Sequence, residues 1–159
     1  MSLMRSDWQY LSREGPSTYD NDGATPTFTV PDREVWHVLS IWLEYTASDT
    51  VATRQVRLVV QDADNDIMLE VAPAVTVTAS QQRDFAFYPG APDLTAARDT
   101  DLITTPIPAG LILRPGWDLI AIEESSGDTT DSDIMLVQMM YAKVPIGSTS
   151  GGTPQSTDN

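Results

Sequence analysis

The chain has no cysteine, a single histidine, a single lysine and no apolar run long enough to cross a bilayer. Without cysteine there is neither a disulfide framework nor a thiolate-held metal. At 159 residues, 41% of them apolar, the chain can bury a core without such staples. The longest apolar stretch near the end, IMLVQMMYA at 134–142, falls well short of the roughly 20 residues a span requires. No basic segment followed by an apolar run stands at the start, so neither a signal peptide nor a membrane anchor is expected. Positive charge is scarce as well: nine basic residues oppose 23 acidic ones, a net charge of −14. Such a balance disfavours direct contact with a nucleic-acid backbone. Eight of the nine basic residues are arginine, which forms planar bidentate pairs with carboxylates and is enriched at interfaces.

What is present in quantity is strict alternation. In EVWHVLSIWLEYTA, from Glu34, the residues Val35, His37, Leu39, Ile41, Leu43 and Tyr45 fall on one side of an extended chain. Trp36, Val38, Ser40, Trp42, Glu44 and Thr46 fall on the other. The second arm, ATRQVRLVVQD, alternates in the same way, with Val56, Leu58 and Val60 against Arg57 and Gln61. The two arms, joined at Ser48, Asp49 and Thr50, predict a long hairpin with one dry face to set against a second sheet.

The rest of the chain supplies short strands. TPTFTV (25–30), closed by Pro31, predicts an edge strand, and DIMLEV (66–71) a third core strand. Val75, Val77 and RDFAFY (83–88) add two more, with Phe85 and Phe87 on one face. Pro89 to Thr105 reads as a long loop and first candidate for a contact surface. Pro106 to Leu113 leads to the turn Arg114, Pro115, Gly116, where proline presets one dihedral and glycine supplies the positive one. Trp117 to Ile122 follows, then an acidic loop from Glu123 to Asp133, then a closing strand, Ile134 to Val144, apolar on both sides and so central or intersubunit. About eight or nine strands with no helical period predict a single antiparallel β-sandwich of jelly-roll type. Residues 1–25, with Trp8, Tyr10 and Tyr19 among Ser, Asp and Gly, read as an extended arm lying on the sandwich or on a neighbouring subunit. The sandwich itself is placed at 26–145, and 146–159 reads as a polar tail.

The run from Val30 to Leu69, VPDREVWHVLSIWLEYTASDTVATRQVRLVVQDADNDIML, together with LILRPGWDLIAIEESSGDTTDSDIMLVQMMY, resembles small β-sandwich structural proteins of tailed bacteriophages. The shared pattern is a proline-led entry at Pro31, a Trp-bearing strand at Trp36, an Arg-bearing strand at Arg54 or Arg57, and an Asp-rich hairpin from Asp62 to Asp66. A Leu-x-Pro-Gly turn follows at Leu113 to Gly116, ahead of an acidic loop with Asp128. The glycine expected in the Asp-rich hairpin is replaced by Asn65 or Asp66. The resemblance, over about residues 30 to 144, implies a non-enzymatic virion component, assembled in the host cytoplasm and placed on the capsid surface or around the head-to-tail junction.

The candidate sites follow from these readings. Asp62, Asp64 and Asp66 have the i, i+2, i+4 spacing of calcium loops, but Ile67 and Pro73 stand where the following glycine and glutamate belong, so a solvated turn is the expected role. His37 lacks the G-x-S-x-G elbow of a hydrolase and is read as a packed histidine. With 23 carboxylates, paired acids alone do not signal hydrolysis. No cofactor is expected. Interface candidates are Trp8, Tyr10, Tyr19, Trp36, Trp42, Arg54, Arg57, Arg98, Arg114 and Trp117, with Trp36 and Trp42 forming one exposed aromatic face. The expected partners are other virion proteins and further copies of the chain. Capsid decoration is favoured over a neck or tail accessory role, and a carbohydrate- or receptor-binding module, using exposed Trp or Tyr rings, is the competing class.

Overall fold

A computed structural model describes residues 10–19, 25–92, 101–126 and 133–146, and over them the chain is all β, without a helix. In chain order the strands are β1 (Tyr10–Tyr19), β2 (Thr27–Thr29), β3 (Glu34–Thr46), β4 (Thr53–Gln61), β5 (Ile67–Val71), β6 (Val77–Thr78), β7 (Gln82–Pro89), β8 (Leu102–Ile107), β9 (Ile112–Leu113), β10 (Asp118–Ser126) and β11 (Ile134–Pro145). One sheet, here sheet A, runs β1-β11-β3-β7-β8 with β9 also on β3. The other, sheet B, runs β2-β10-β4-β5 with β6 also on β4. Leaving out the short β6 and β9 and the edge strand β8, the eight remaining strands, numbered along the chain, are ordered 1-8-3-6 in sheet A and 2-7-4-5 in sheet B. That interleaving of two Greek keys is a jelly roll, so the expected fold class holds. Sheet A is mixed rather than purely antiparallel, because β8 runs parallel to β7.

The expected hairpin is corrected by this topology. β3 pairs with β11, β7 and β9, and β4 with β10, β5 and β6, so the two arms share no ladder. Residues 47–52 carry the chain from one sheet to the other. Each arm does have one apolar face, as the alternation indicated, but those faces meet across the core instead of lying side by side: Val38, Ile41, Leu43 and Tyr45 of β3 are sealed, as are Val56, Leu58 and Val60 of β4. Two similarly patterned neighbours in sequence can pair in one sheet or oppose each other in two, and periodicity does not distinguish these.

A second correction lies within β3. Against β11, Met140 pairs with Ser40 but Tyr141 pairs with Val38, so Leu39 is an extra residue, a β-bulge. The bulge swaps the faces along the strand. Ahead of it Trp36 and Val38 point inward, and beyond it Ile41, Leu43 and Tyr45 do. His37 therefore lies on the outer side of sheet A, half-buried between Ala142 and Ile112, rather than among the apolar core residues.

Other elements fall close to expectation. Phe85 and Phe87 share a face, are fully buried, and stack with ring centroids 6.5 Å apart. β11 is central, between β1 and β3, and buries Met135, Val137, Met139 and Tyr141. Tyr10–Tyr19, expected in an extended arm, lies down on the chain's own sheet as β1, with a register shift between Glu14 and Ser17. The predicted core strand at 66–71 is instead an edge strand, β5, where Ile67 and Met68 are exposed. The predicted loop from Pro89 to Thr105 is shorter than expected, since β8 begins at Leu102; residues 93–100 lie outside the described set. The edges of the two sheets are β1 and β8, and β2 and β5. Pro16 stands within β1, Pro106 within β8, and Pro26 and Pro31 flank β2.

Candidate interaction surface

Two places concentrate polar chemistry and exposed apolar area. The first joins the sheets at one end of the sandwich. Tyr45, near the end of β3, and Arg54, at the start of β4, are held at the same end because the crossover between them is short. Asp133, at the entry to β11, comes between them. Its Oδ2 accepts from Arg54 Nε at 2.5 Å and from Tyr45 Oη at 2.6 Å, and its Oδ1 accepts from the Ser48 backbone N–H at 2.6 Å. Arg54 also donates through its two terminal nitrogens to the Thr50 carbonyl, to the Ala52 carbonyl and to Ser48 Oγ. The side chains of Arg54 and Asp133 are 0% and 1% exposed, so this is a sealed ion pair.

Glu123 of β10 reaches the same cluster, within hydrogen-bonding range of Tyr45 and Asp133. Burial first, and then the Asp133 charge, push its carboxyl up to about 7, against the opposing pull of Tyr45 and Arg54. Asp133 is held below the ordinary carboxylate range even though burial acts the other way, because Ser48, Tyr45 and Arg54 all donate to it. The Tyr45 hydroxyl is driven upward by burial and by its acidic neighbours, so it stays a donor. The Arg54–Asp133 pair and Tyr45 are closed to solvent and tie the two sheets together, with Glu123 half-buried at the margin of the cluster.

The second place is the outer face of sheet A. Because Leu43, Tyr45, Phe85 and Phe87 point inward, Trp42, Glu44, Asp84 and Ala86 point outward. The register lays them in rows: Leu136, Glu44, Asp84 and Leu102 across one, and Gln138, Trp42, Ala86 and Thr104 across the next. Trp42 is 36% exposed, Met140 49% and Ile134 54%, so a strip of large apolar side chains faces outward along β3 and β11. Ser40, Trp42, Gln138 and Met140 border a shallow groove of about 110 Å³ on this strip. Trp42 leans along its strand, donating from Nε1 to Glu44 Oε1 at 3.1 Å.

Beside the strip lies a cleft of about 270 Å³ lined by Gln82, Arg83, Asp84 and Asp101. Arg83 pairs with Asp101 at 3.1 Å, and the Asp84 backbone N–H donates to the Asp101 carbonyl at 2.7 Å. Glu44 stands directly across the ladder from Asp84, two like charges on neighbouring strands. The Asp84 carboxyl is raised by burial, by Glu44 and by Asp101, in that order, and its Oδ1 is shielded from solvent with no hydrogen-bond partner among the described residues.

The predicted site residues separate on this frame. Trp36 is 3% exposed and stacks on Tyr141 with centroids 4.2 Å apart, its Nε1 donating to Glu34 Oε2. Trp36 and Trp42 therefore occupy opposite faces of sheet A, and the expected joint aromatic patch does not form, because the bulge intervenes. Arg54 is sealed and has no carboxylate contact to offer a partner. Arg57 is part-exposed and already holds Glu70, at 3.0 Å, and Glu124. Arg114 is exposed, and Trp117 is half-buried against the core. The backbones of Tyr10 and Tyr19 pair with Lys143 and Met135. Trp8, Arg98 and the acidic-loop residue Asp128 lie outside the described residues.

At the Asp-rich turn, Asp62 Oδ1 accepts the backbone N–H groups of Asp64 and Asp66, both at 3.0 Å, and Asn65 takes the left-handed conformation with φ of 66°. Asparagine tolerates that region, so it fills the place where glycine was expected. Asp62 is thus committed to building the turn. Among the described residues no three acidic or histidine side chains converge as a metal would require. Sequence reasoning missed the Tyr45–Asp133–Arg54 clasp, whose members lie up to 88 residues apart. It also missed the Glu44–Asp84 pair, which only the register creates. The one available signal was Arg54 on the side of its strand that carries Val56, Leu58 and Val60.

Neither the family models nor the curated proteins contain a match to this chain. Among solved structures, a chain of the structure of infectious bursal disease virus, Gx strain, is similar over 88% of this chain at 10% identity, with a TM-score of 0.27. This chain spans 34% of that one.

Proposed function

We propose that the chain is a non-enzymatic structural protein of a tailed-bacteriophage virion, acting by protein–protein contact and most simply as a capsid decoration protein. The supporting observation is the uncovered outer face of sheet A, where Trp42, Met140 and Ile134 stand outward on the β3–β11 ladder. A jelly roll needs only its inner faces to fold, so large apolar side chains outside are surplus to folding and fit a partner. The sequence resemblance to phage β-sandwich proteins adds the virion setting. The non-enzymatic part is supported by the Arg54–Asp133–Tyr45 cluster, whose buried groups are committed to one another.

Burial of the apolar strip supplies the binding energy in this reading, and repetition over a symmetric shell lets weak contacts act together. Self-association into oligomers and contact with other virion proteins both belong to the proposal, as does assembly in the host cytoplasm. The carbohydrate-binding alternative loses ground, since Trp36 is core and Trp42 is left without it as an aromatic companion on the outer face. The test is the mass of the purified protein by light scattering and sedimentation, alone and mixed with shells that lack it. Saturable binding at a fixed ratio to capsid subunits supports decoration. A small monomer that ignores the shell removes it and moves a neck, tail or receptor-binding role ahead.

A further inference from the structure

We propose that the outer face of sheet A docks a basic, apolar segment of a partner protein, with an Arg or Lys entering the Asp84–Asp101 cleft beside Glu44 and an adjacent apolar side chain lying against Trp42 and Met140. This deepens the structural-protein reading and rests on it for the partner's virion setting. Geometry and charge together choose this occupant.

The apolar strip and the acidic cleft are adjacent rows of one ladder: Trp42 and Glu44 are two residues apart on β3, and Ala86 and Asp84 two apart on β7, facing them in register. A partner covering the strip must also cover the carboxylates. Among the described residues those carboxylates outnumber the cations beside them. Arg83 lines the cleft and pairs with Asp101, while Glu44 and Asp84 face each other with like charge. Covering them with a neutral or acidic surface would strip water from the pair without compensation, which is strongly unfavourable. A cation placed there offsets the like charges of Glu44 and Asp84.

A second copy of this chain does not meet that requirement. Two copies set face to face would each bring the same strip and the same carboxylates, in a protein whose net charge is −14, so neither supplies a surplus of positive charge. A metal ion does not meet it either, since among the described residues no metal-binding group of three ligands is formed. The remaining occupant is a protein segment that carries its own positive charge beside an apolar anchor.

The probe is a random dodecapeptide library selected on the immobilised full-length protein. Enriched peptides are expected to carry Arg or Lys within a few residues of an aromatic or aliphatic side chain. Glu44→Gln and Asp84→Asn are each expected to weaken those peptides about tenfold, the change that one lost charge-assisted contact produces. Both variants should flatten the salt dependence of binding while raising the melting temperature, because each relieves the like-charge pair. Trp42→Ala should weaken binding by a similar factor and leave the salt dependence intact. Peptides without basic residues, equal binding to all variants, or no enrichment at all would each overturn the proposal. The same variants are then mixed with shells lacking the chain. If wild type binds shells and the variants bind equally well, the docking face is wrong and decoration stands. If wild type ignores the shells, decoration falls, and the peptide result still decides what the face recognises.

Discussion

Replacing Glu123 by glutamine should remove a pH dependence of stability that the wild-type clasp builds in. Glu123 titrates near 7 in the folded protein, against an ordinary value of 4.5. A carboxyl whose pKa is raised on folding binds its proton more tightly in the native state. Stability is therefore greatest below about 4.5 and falls as pH rises through about 7, at up to 1.36 kcal/mol per pH unit between the two values. Over the 2.5 units from 4.5 to 7 the ceiling is about 3 kcal/mol. Glu123 is only half-buried and can turn toward water, so about 1 to 2 kcal/mol is the realistic size. For a chain of this length that is roughly 3 to 7 °C in melting temperature. Glutamine keeps the shape and the donor toward Asp133 that the protonated acid supplies, so it mimics the low-pH form at every pH.

The assay is thermal unfolding of wild type and Glu123→Gln at about pH 4 and about pH 8.5, on either side of the window between the unfolded and folded values, followed by circular dichroism at fixed salt. Wild type alone is uninformative, because the remaining acidic residues of the 23 also repel one another more as pH rises. The difference between the two proteins isolates Glu123. It should be small at the lower pH and reach several degrees in favour of the variant at the higher one. Parallel profiles, with the same difference at both pH values, would refute the reasoning and mean that Glu123 ionises freely.

Arg54→Met should cost about 3 to 5 kcal/mol in urea unfolding, since it leaves the sealed Asp133 carboxylate without its cation; a midpoint shift worth less than about 1 kcal/mol would show that water reaches the cluster. The tryptophans test the bulge directly: Trp36→Ala should lose about 3 to 5 kcal/mol, a core truncation, whereas Trp42→Ala should change stability by under about 1 kcal/mol. Equal losses would place both rings on one face after all. Asp62→Ala should lower stability by about 1 kcal/mol in thermal melts through loss of its two turn contacts, and millimolar calcium against chelator should leave the wild-type melting temperature unchanged.

The strands themselves were legible because alternation is local. Phe85 and Phe87 share a face by spacing alone, and the Arg114-Pro115-Gly116 turn follows from its residues: Gly116 has φ of 75° and the Trp117 N–H returns to the Arg114 carbonyl. The arrangement of the strands was less so. The six residues after Thr46 look like a hairpin loop, yet they pass from one sheet to the other, an alternative that the same alternation allows equally. One inserted residue, Leu39, reverses the exposure of everything before it, and nothing in EVWHVLSIWLEYT marks that position. β1 was read as an arm since its register breaks around Gly15 and Pro16 and shows no period of two. The clasp and the acidic cleft are products of long-range register: Asp133 was legible only as the end of an acidic loop, and Glu44 only as a polar interruption in a strand.

The prolines at the sheet margins bear on how copies of this protein coexist at high concentration. An open edge strand is a template for another chain's backbone, and crowded β proteins are prone to join edge to edge into fibres. Pro106 removes an amide from β8, Pro16 sits where β1 loses register, and Pro26 and Pro31 bracket the three-residue β2. Strand addition is discouraged on three of the four margins. Backbone pairing is thereby disfavoured relative to side-chain contact at those margins, and β5, with Ile67 and Met68 exposed, is the margin left open to strand addition.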